Sequence, residues 1–543
     1  MYLCIDRREN INRMFVYVKP YSSKSSSLQS SLILEERQAP LGVLFLYMHS
    51  INPKHITYKD VSKIIFENEK LTLSTESKKL VQKTRDIIEK AVKNKEVIYG
   101  VTTGFGAFKT VVIDSSQVAE LQRNLIVSHA VGVGDYFDSK VVTGILFLIA
   151  NYLSKGHSGV RPIVVETLLA MINKGVYPLV PEKGSVGSSG DLAPSAHVIL
   201  VLMGEGEAEY QGRQMSGAEA MKKAGIKPVV LEAKEGLALI NNTATMTANA
   251  VLALSEAQKL IDLADKAGSL SAEALRATTK AFDADIHRIK PHQGQIEVAK
   301  HLRSLLRGSK MIDNSKTQDQ YSLRCMPQIH GAVRECFRYV ESVVNTELNS
   351  VTDNPLIFEK NGKIKVISGG NFHGEPVAIA MDSLGIAVCE LANISDRRIA
   401  SILDPATNNG LPAFLVEKGG LNSGFMILQY TTAALVSENK ILAHPASVDS
   451  IPTSANVEDL VSMGTIAARK ANEILENVKQ VLAIEMIVAC QAIDFRKKAG
   501  FTLGKETEKL YKEIRKLVPY FSKDEVYYPY VKKVVNLIDQ GKL

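Results

Sequence analysis

The sequence predicts a mainly α-helical fold, a bundle of long helices with small β elements. Three observations predict it. Residues 243–281 form one Ala- and Leu-rich run without proline, and similar runs follow at 376–401, 428–442 and 463–493. Such lengths read as helices of roughly 20 residues or more, packed side by side. Residues 77–94 carry apolar side chains at helical spacing among many lysines. Strand signals are few, and the best lies at 354–367. There Asn361-Gly362 reads as a hairpin turn between Leu356-Ile357-Phe358 and Ile364-Lys365-Val366-Ile367.

Taken in order, residues 1–47 differ from the rest. They hold Ser22-Ser23-Lys24-Ser25-Ser26-Ser27 and then a short apolar run at 41–47, too short and too far in for a signal peptide. They read either as a disordered or interaction extension or as sequence ahead of a start at Met48. From 50 onward there is no internal repeat and no proline-rich linker. The apolar run 141–153 falls short of the roughly 18 residues that span a bilayer and contains Asn151. A buried helix is expected there, and no membrane partner.

The 45% hydrophobic and 23% charged content is that of a globular protein. The net charge of +7 is spread over interleaved Lys, Arg, Asp and Glu with no long basic block, which argues against nucleic acid as a partner. Cys4, Cys325, Cys336, Cys389 and Cys490 are odd in number, widely spaced and without a CxxC pair. They read as reduced thiols in a cytoplasmic protein. Residues 501–543 are rich in Lys and Tyr and carry no motif.

The chemistry concentrates in Gly184-Ser185-Val186-Gly187-Ser188-Ser189-Gly190-Asp191-Leu192-Ala193-Pro194, a glycine-punctuated loop that runs into a helix. A Ser/Gly cluster before a helix is, taken alone, a flexible loop or a cap. Ser188-Ser189-Gly190 offers more. The Gly190 nitrogen is unhindered and its backbone can bend sharply, so it can attack the Ser188 carbonyl carbon. Loss of water from the ring and from the Ser189 side chain then leaves a dehydroalanine in a five-membered ring, 4-methylidene-imidazol-5-one (MIO). Side chains are good nucleophiles and poor electrophiles, so a chain that builds this group gains chemistry otherwise left to a bound cofactor.

Together with Ala196-His197 and Gly204-Glu205-Gly206-Glu207-Ala208, the loop resembles the active-site signature of the aromatic amino acid ammonia-lyases, the histidine-specific branch most of all. The family usually has Ala where Ser188 stands. Only the backbone carbonyl enters the ring, so cyclisation is expected to survive. The resemblance implies a bundle of the aspartase/ammonia-lyase type. Its catalytic unit covers 48–543, with an N-terminal active-site region at about 48–240 and a central bundle and C-terminal helical part at about 241–543. It further implies a homotetramer with shared active sites, and MIO formed autocatalytically from Ser188, Ser189 and Gly190 with no external cofactor.

Other stretches match the family in order. Tyr99 opens Tyr99-Gly100-Val101-Thr102-Thr103-Gly104-Phe105-Gly106, and the resemblance makes it a catalytic base. A free phenol titrates near about 10, so that role calls for nearby positive charge or helix N-termini. His129, in Ser128-His129-Ala130-Val131-Gly132, is implied to contact a substrate imidazole. Asp191 and Pro194 suit a first helical turn, and the resemblance adds assistance by Asp191 to ring formation. Asn241 is implied to hold the ring oxygen and the substrate carboxylate. Asn242 and Ala244 depart from the usual Asn-Gly-Thr-Gln, and a Cβ at 242 is expected to narrow that turn.

Arg324 offers a planar fork for a carboxylate, and the resemblance puts Tyr321 and Gln318 near the ring. Phe372 is implied to pack against it, and Glu438, in Ser437-Glu438-Asn439-Lys440, to sit near the imidazole or the amine. No metal site is read: His373 has no second ligand at helical spacing, and His287 with His292 makes no zinc pair. A phosphate loop is not read either, since no Gly-Lys-Ser/Thr follows.

The activity implied is non-oxidative elimination of ammonia from L-histidine to trans-urocanate, the first step of histidine degradation. The alternatives are a tyrosine or phenylalanine ammonia-lyase, an aminomutase, and an inactive scaffold homologue, for which Ser188 and Asn242 are the departures.

Overall fold

Four long helices, Ala244–Ala274, Met326–Leu348, Glu375–Leu403 and Gly464–Lys498, pack on one another at the centre of the molecule. The computed structural model describes residues 5–6, 13–14 and 48–543 apart from 53, 68 and 109. The Ser-rich patch, the 41–47 run and Cys4 lie outside the described residues. Two short strands, Ile5–Asp6 and Arg13–Met14, pair antiparallel.

Three of the four helices are the expected runs. The 243–281 run stops being helical at Ala274 because Arg276 takes a left-handed φ of 51°. Met326–Leu348 escaped the sequence reading: Arg334, Glu335, Arg338 and Glu341 dilute its composition, although Val333, Phe337, Val340, Val344 and Leu348 line one buried face. Buried Ala248, Ala250, Ala253, Ala257, Ala264 and Ala267 let neighbours close on Ala244–Ala274. At Gly268 a Cβ would stand 2.5 Å from Met326 Sδ, so a larger residue there would have to displace that side chain. The central packing also encloses an ion pair. Arg398 Nε donates to Glu485 Oε1 at 2.5 Å and Nη2 to Oε2 at 2.9 Å, and Ser271 and Ser395 hydroxyls satisfy the same carboxylate. Both partners are fully buried, so removing either would strand a charge, which is the costly way to break such a pair.

The shorter elements flank this core. Ser139–Leu153 is buried almost throughout, as its composition requires. Thr75–Lys93 is capped by Ser74, whose side chain accepts the Ser77 N–H. Leu356–Lys360 and Lys363–Ile367 pair antiparallel with Lys360 opposite Lys363. Asn361 and Gly362 turn between them at φ 53° and 72°, the two-residue hairpin the sequence predicts. Strands of three or four residues were not legible, being too short for a period-2 signal. Among them, Val133–Tyr136 pairs with Pro181–Lys183, and Glu207–Tyr210 lies between Val176–Pro178 and Arg213–Ser216. Pro181–Lys183 leads directly into the 184–191 loop, whose other end runs into the helix Leu192–Leu202.

By length and hydropathy the stretches Glu235–Ala274 and Glu375–Leu403 could each cross a membrane, but 94% and 61% of their most apolar windows are buried inside the protein. Cys325, Cys336, Cys389 and Cys490 are free thiols.

Near the end of Ala244–Ala274, Glu273 is fully buried and accepts the Gly504 N–H at 2.8 Å. Burial raises its carboxyl from 4.5 to about 7. A raised carboxyl favours the folded state while neutral. That contribution is complete below about 4.5 and is lost as pH rises through about 7. Glu273→Gln is therefore expected to flatten the fall in melting temperature between these two pH values, the difference amounting to about 3 kcal/mol. Thermal melts of both proteins across that range check it; parallel curves would refute it.

Candidate active site

The 184–191 loop is seated where four helices begin. Asp191, Thr243, Gly374 and Met463 immediately precede Leu192–Leu202, Ala244–Ala274, Glu375–Leu403 and Gly464–Lys498. The backbone ties are direct. The Met463 N–H donates to Val186 O at 2.8 Å, and the Gly374 N–H to Gly187 O at 3.2 Å. Gly374 and Gly464 both crowd Met246, where an added Cβ would lie 2.5 and 2.7 Å from its sulfur. Helix N-termini carry unpaired N–H groups and partial positive charge, so their convergence favours negative charge at the loop.

Asp191 uses that field. It does not cap its helix through its side chain, as a first-turn acid would. The carboxylate turns inward, fully buried, and accepts the Ser185 hydroxyl at 2.7 Å, the Met246 N–H at 2.8 Å and the Thr465 hydroxyl. Burial raises its carboxyl above the usual range, and these three donors oppose the rise.

The Ser188-Ser189-Gly190 triplet is gripped from two sides. Asn241 Nδ2 donates to the Ser189 carbonyl oxygen at 2.6 Å. The Ser188 hydroxyl donates to Glu458 Oε2 at 2.5 Å and the Ser189 hydroxyl to Glu458 Oε1 at 2.9 Å. Gly190 has φ +70°, and a Cβ there would lie 2.1 Å from the backbone oxygen of Asn242. Only glycine fits. The Asp191 N–H also donates to that Asn242 oxygen, at 2.6 Å. Asn242 is fully buried and its backbone is not left-handed. Its amide donates to Leu239 O at 3.0 Å, and its Oδ1 accepts the Ala244 N–H at 2.8 Å.

His129 ends the Val118–His129 helix, with Nδ1 3.1 Å from the Ser128 hydroxyl. Burial lowers its imidazole, opposed first by the hydrogen bond to the Leu125 backbone and then by the Glu458 charge. The turn after it is held by His197, whose Nε2 accepts the Gly132 N–H at 3.1 Å. Burial lowers the His197 imidazole too, in keeping with a neutral acceptor. Tyr99 accepts the Gly106 N–H at 3.4 Å. Gly106 abuts Ser454 on the segment that carries Glu458, since a Cβ on Gly106 would lie 3.1 Å from the Ser454 hydroxyl. Phe372 is half-buried two residues before Gly374.

Other predicted residues stand apart within one chain. Arg324 donates to Gln318 Oε1 and lies 4.8 Å from the Tyr321 ring centre. Tyr321 is 70% exposed, and among the described residues no hydrogen bond joins this trio to the loop. Glu438 is exposed on the Met426–Leu442 helix, where it lines a surface cavity with Ile441, Glu473 and Asn477. The carboxylate at the loop belongs to Glu458. Sequence reading missed it because the 443–463 segment has no regular periodicity. Val457-Glu458-Asp459 close to the Ser462-Met463-Gly464 helix start was the available signal. Among the described residues no group of three or more His, Cys, Asp or Glu could hold a metal ion.

Comparison with known proteins agrees with this architecture. Residues 56–516 match the aromatic amino acid lyase family model. The chain is 54% identical to a histidine ammonia-lyase of Alkaliphilus metalliredigens, covering 91% of this chain and 97% of that one. A histidine ammonia-lyase of Caldanaerobacter subterraneus is 51% identical over the same shares. Among solved structures, the Trypanosoma cruzi histidine ammonia-lyase superposes with a TM-score of 0.85 at 42% identity, covering 91% of this chain and 94% of that one. A tyrosine aminomutase of Streptomyces globisporus gives 0.86 at 37% identity, covering 91% and 97%, so the fold alone does not choose the substrate. With the fold, the seated Ser-Ser-Gly loop and these matches in agreement, the chain belongs to the aromatic amino acid lyase family.

Proposed function

We propose that this protein is a carbon–nitrogen lyase that eliminates ammonia from L-histidine to give trans-urocanate, the first step of histidine degradation. The observation that carries this reading is the double grip on Ser188-Ser189-Gly190: an amide on the Ser189 carbonyl and a carboxylate on both hydroxyls. The names of the relatives support the substrate.

The triplet suits MIO. Gly190 has the left-handed backbone that a tight turn needs, and the Ser189 oxygen that would become the ring oxygen already has its donor in Asn241. Once formed, the group supplies an electrophilic methylidene carbon for capture of the substrate. The side chains supply the rest. Asn241 and the converging helix N-termini stabilise negative charge on the ring oxygen without adding a net charge. Tyr99 takes the β-proton. Arg324, with Gln318 and Tyr321 fixing its fork, holds the substrate carboxylate. His129 reads the imidazole, and the geometry favours Glu458 over Glu438 as its acidic partner. Phe372 closes the pocket with apolar surface.

The active unit is proposed to be a cytoplasmic homotetramer with shared sites. Two observations support the assembly. The Gln318–Tyr321–Arg324 cluster is preformed yet lies on open surface, as a group offered to a neighbouring subunit would. Ile427, Tyr430 and Ile441 also form an exposed apolar stripe along one helix, and such stripes mark contact surfaces.

Ultraviolet absorbance of the purified protein with L-histidine tests the reaction, with a urocanate band expected to grow at catalytic protein concentrations. Cinnamate from phenylalanine, coumarate from tyrosine, or a β-amino acid in its place would move the reading to the corresponding lyase or aminomutase. A full-mass chain without turnover on any of them would mark a scaffold.

A further inference from the structure

Ser188 stands where alanine is usual, and its hydroxyl is engaged. Glu458 Oε2 accepts two hydroxyls, Ser188 at 2.5 Å and Thr453 at 3.1 Å. Glu458 Oε1 accepts one, Ser189 at 2.9 Å. The two serines differ in their fate. In ring formation the Gly190 nitrogen bonds to the Ser188 carbonyl carbon. That carbonyl oxygen leaves as water with the N–H protons of Gly190 and Ser189. The Ser189 hydroxyl then leaves as a second water with the Ser189 Cα proton, creating the Cα=Cβ bond. No oxidant or reductant takes part. The Ser189 donor is consumed, and the Ser188 hydroxyl, outside the ring, remains.

Maturation therefore strips Oε1 and leaves Oε2 anchored. We infer that Ser188 is a positioning residue that holds Glu458 in place after ring formation, leaving Oε1 as the open acceptor for an N–H of the bound substrate; this rests on the lyase reading above.

The setting explains why a tether matters. Glu458 is half-buried, but Ser454 to Val457 before it and Asp459 and Leu460 after it are exposed. Ser454, Ala455 and Asn456 all have left-handed φ, between 52° and 63°. Backbone bonds join Thr453 and Glu458 in both directions, at 2.9 and 3.3 Å, and fix the base of the segment. They do not aim the carboxylate. A side chain with several free rotors on an exposed loop must be ordered before it can select a ligand. A short hydrogen bond to a charged acceptor is strong enough to do that.

Three variants test this: Ser188→Ala, Ser188→Thr and Glu458→Gln, the first also combined with the third. Intact-chain mass should show the two-water loss in Ser188→Ala, because only the backbone of 188 enters the ring. Calorimetric binding of urocanate should weaken about tenfold in Ser188→Ala, and KM for L-histidine should rise by a similar factor with kcat within about threefold of the parent. Ser188→Thr keeps the hydroxyl and should restore both. In the Glu458→Gln background, Ser188→Ala should change urocanate binding by less than about twofold, since a residue acting through Glu458 loses its lever there.

Unchanged urocanate affinity and KM in Ser188→Ala would overturn the inference, as would full additivity of the two substitutions. Should Ser188→Ala not fold, Ser188→Cys, close in size and a weak donor, carries the same test. The parent protein in the same series separates the two failures. No turnover by the parent would sink the lyase reading and this inference with it. Turnover with an indifferent Ser188→Ala would sink this inference alone.

Discussion

Ser189→Ala is expected to remove at least about a thousandfold of kcat and to leave the chain without the two-water mass loss of the parent. The reason is compositional: alanine has no β-hydroxyl to eliminate, so no electrophilic carbon can form, and no other side chain here can substitute for it. The fold should tolerate the change. The Ser189 hydroxyl serves one oxygen of Glu458, while Asn241 grips the Ser189 backbone oxygen, which alanine keeps. Near-parental circular dichroism and melting temperature, with mass and activity both altered, would isolate the chemical role. Activity within about tenfold of the parent would show that the electrophile is not built from this triplet.

The second large effect concerns the two candidate carboxylates. Glu458→Gln is expected to lower kcat/KM for L-histidine about a hundredfold, the scale of losing a charged acceptor that faces a desolvated partner. Glu438→Gln is expected to stay within about threefold of the parent, because Glu458 and not Glu438 is hydrogen-bonded to the triplet. His129→Leu should follow Glu458→Gln for histidine and gain on phenylalanine, since an apolar side chain then faces an apolar ring. Steady-state kinetics on both amino acids decide the matter. A large loss in Glu438→Gln beside a small one in Glu458→Gln would return the role to Glu438. Unchanged histidine turnover in His129→Leu would remove the specificity argument.

The long helices were legible because alanine- and leucine-rich runs without proline have few other places to go, and Glu375–Leu403 and Gly464–Lys498 start within a residue of their predicted limits. The hairpin was legible because Asn361-Gly362 suits left-handed turn positions. The short strands beside the loop, and the helix Met326–Leu348 with its charge-diluted composition, were not. Their identity depends on partners far along the chain, such as Val133–Tyr136 on Pro181–Lys183.

The same division runs through the site. The sequence by itself determined the candidate triplet for the proposed electrophile, because its three residues are contiguous and the reaction proposed for them needs only a bent backbone and a leaving hydroxyl. It also determined the candidates around it that lie in long motifs, such as Asn241 and His129. Tertiary structure alone decided what touches the triplet. It turned Asp191 inward instead of capping its helix, brought four helix N-termini under one loop, and set Gln318, Tyr321 and Arg324 on an open face. It also brought in Glu458, 270 positions from Ser188, from a segment with no repeating pattern to read. Contact across that distance is set by how the helices pack and where their connecting segments emerge, and neither is written in any local run of residues.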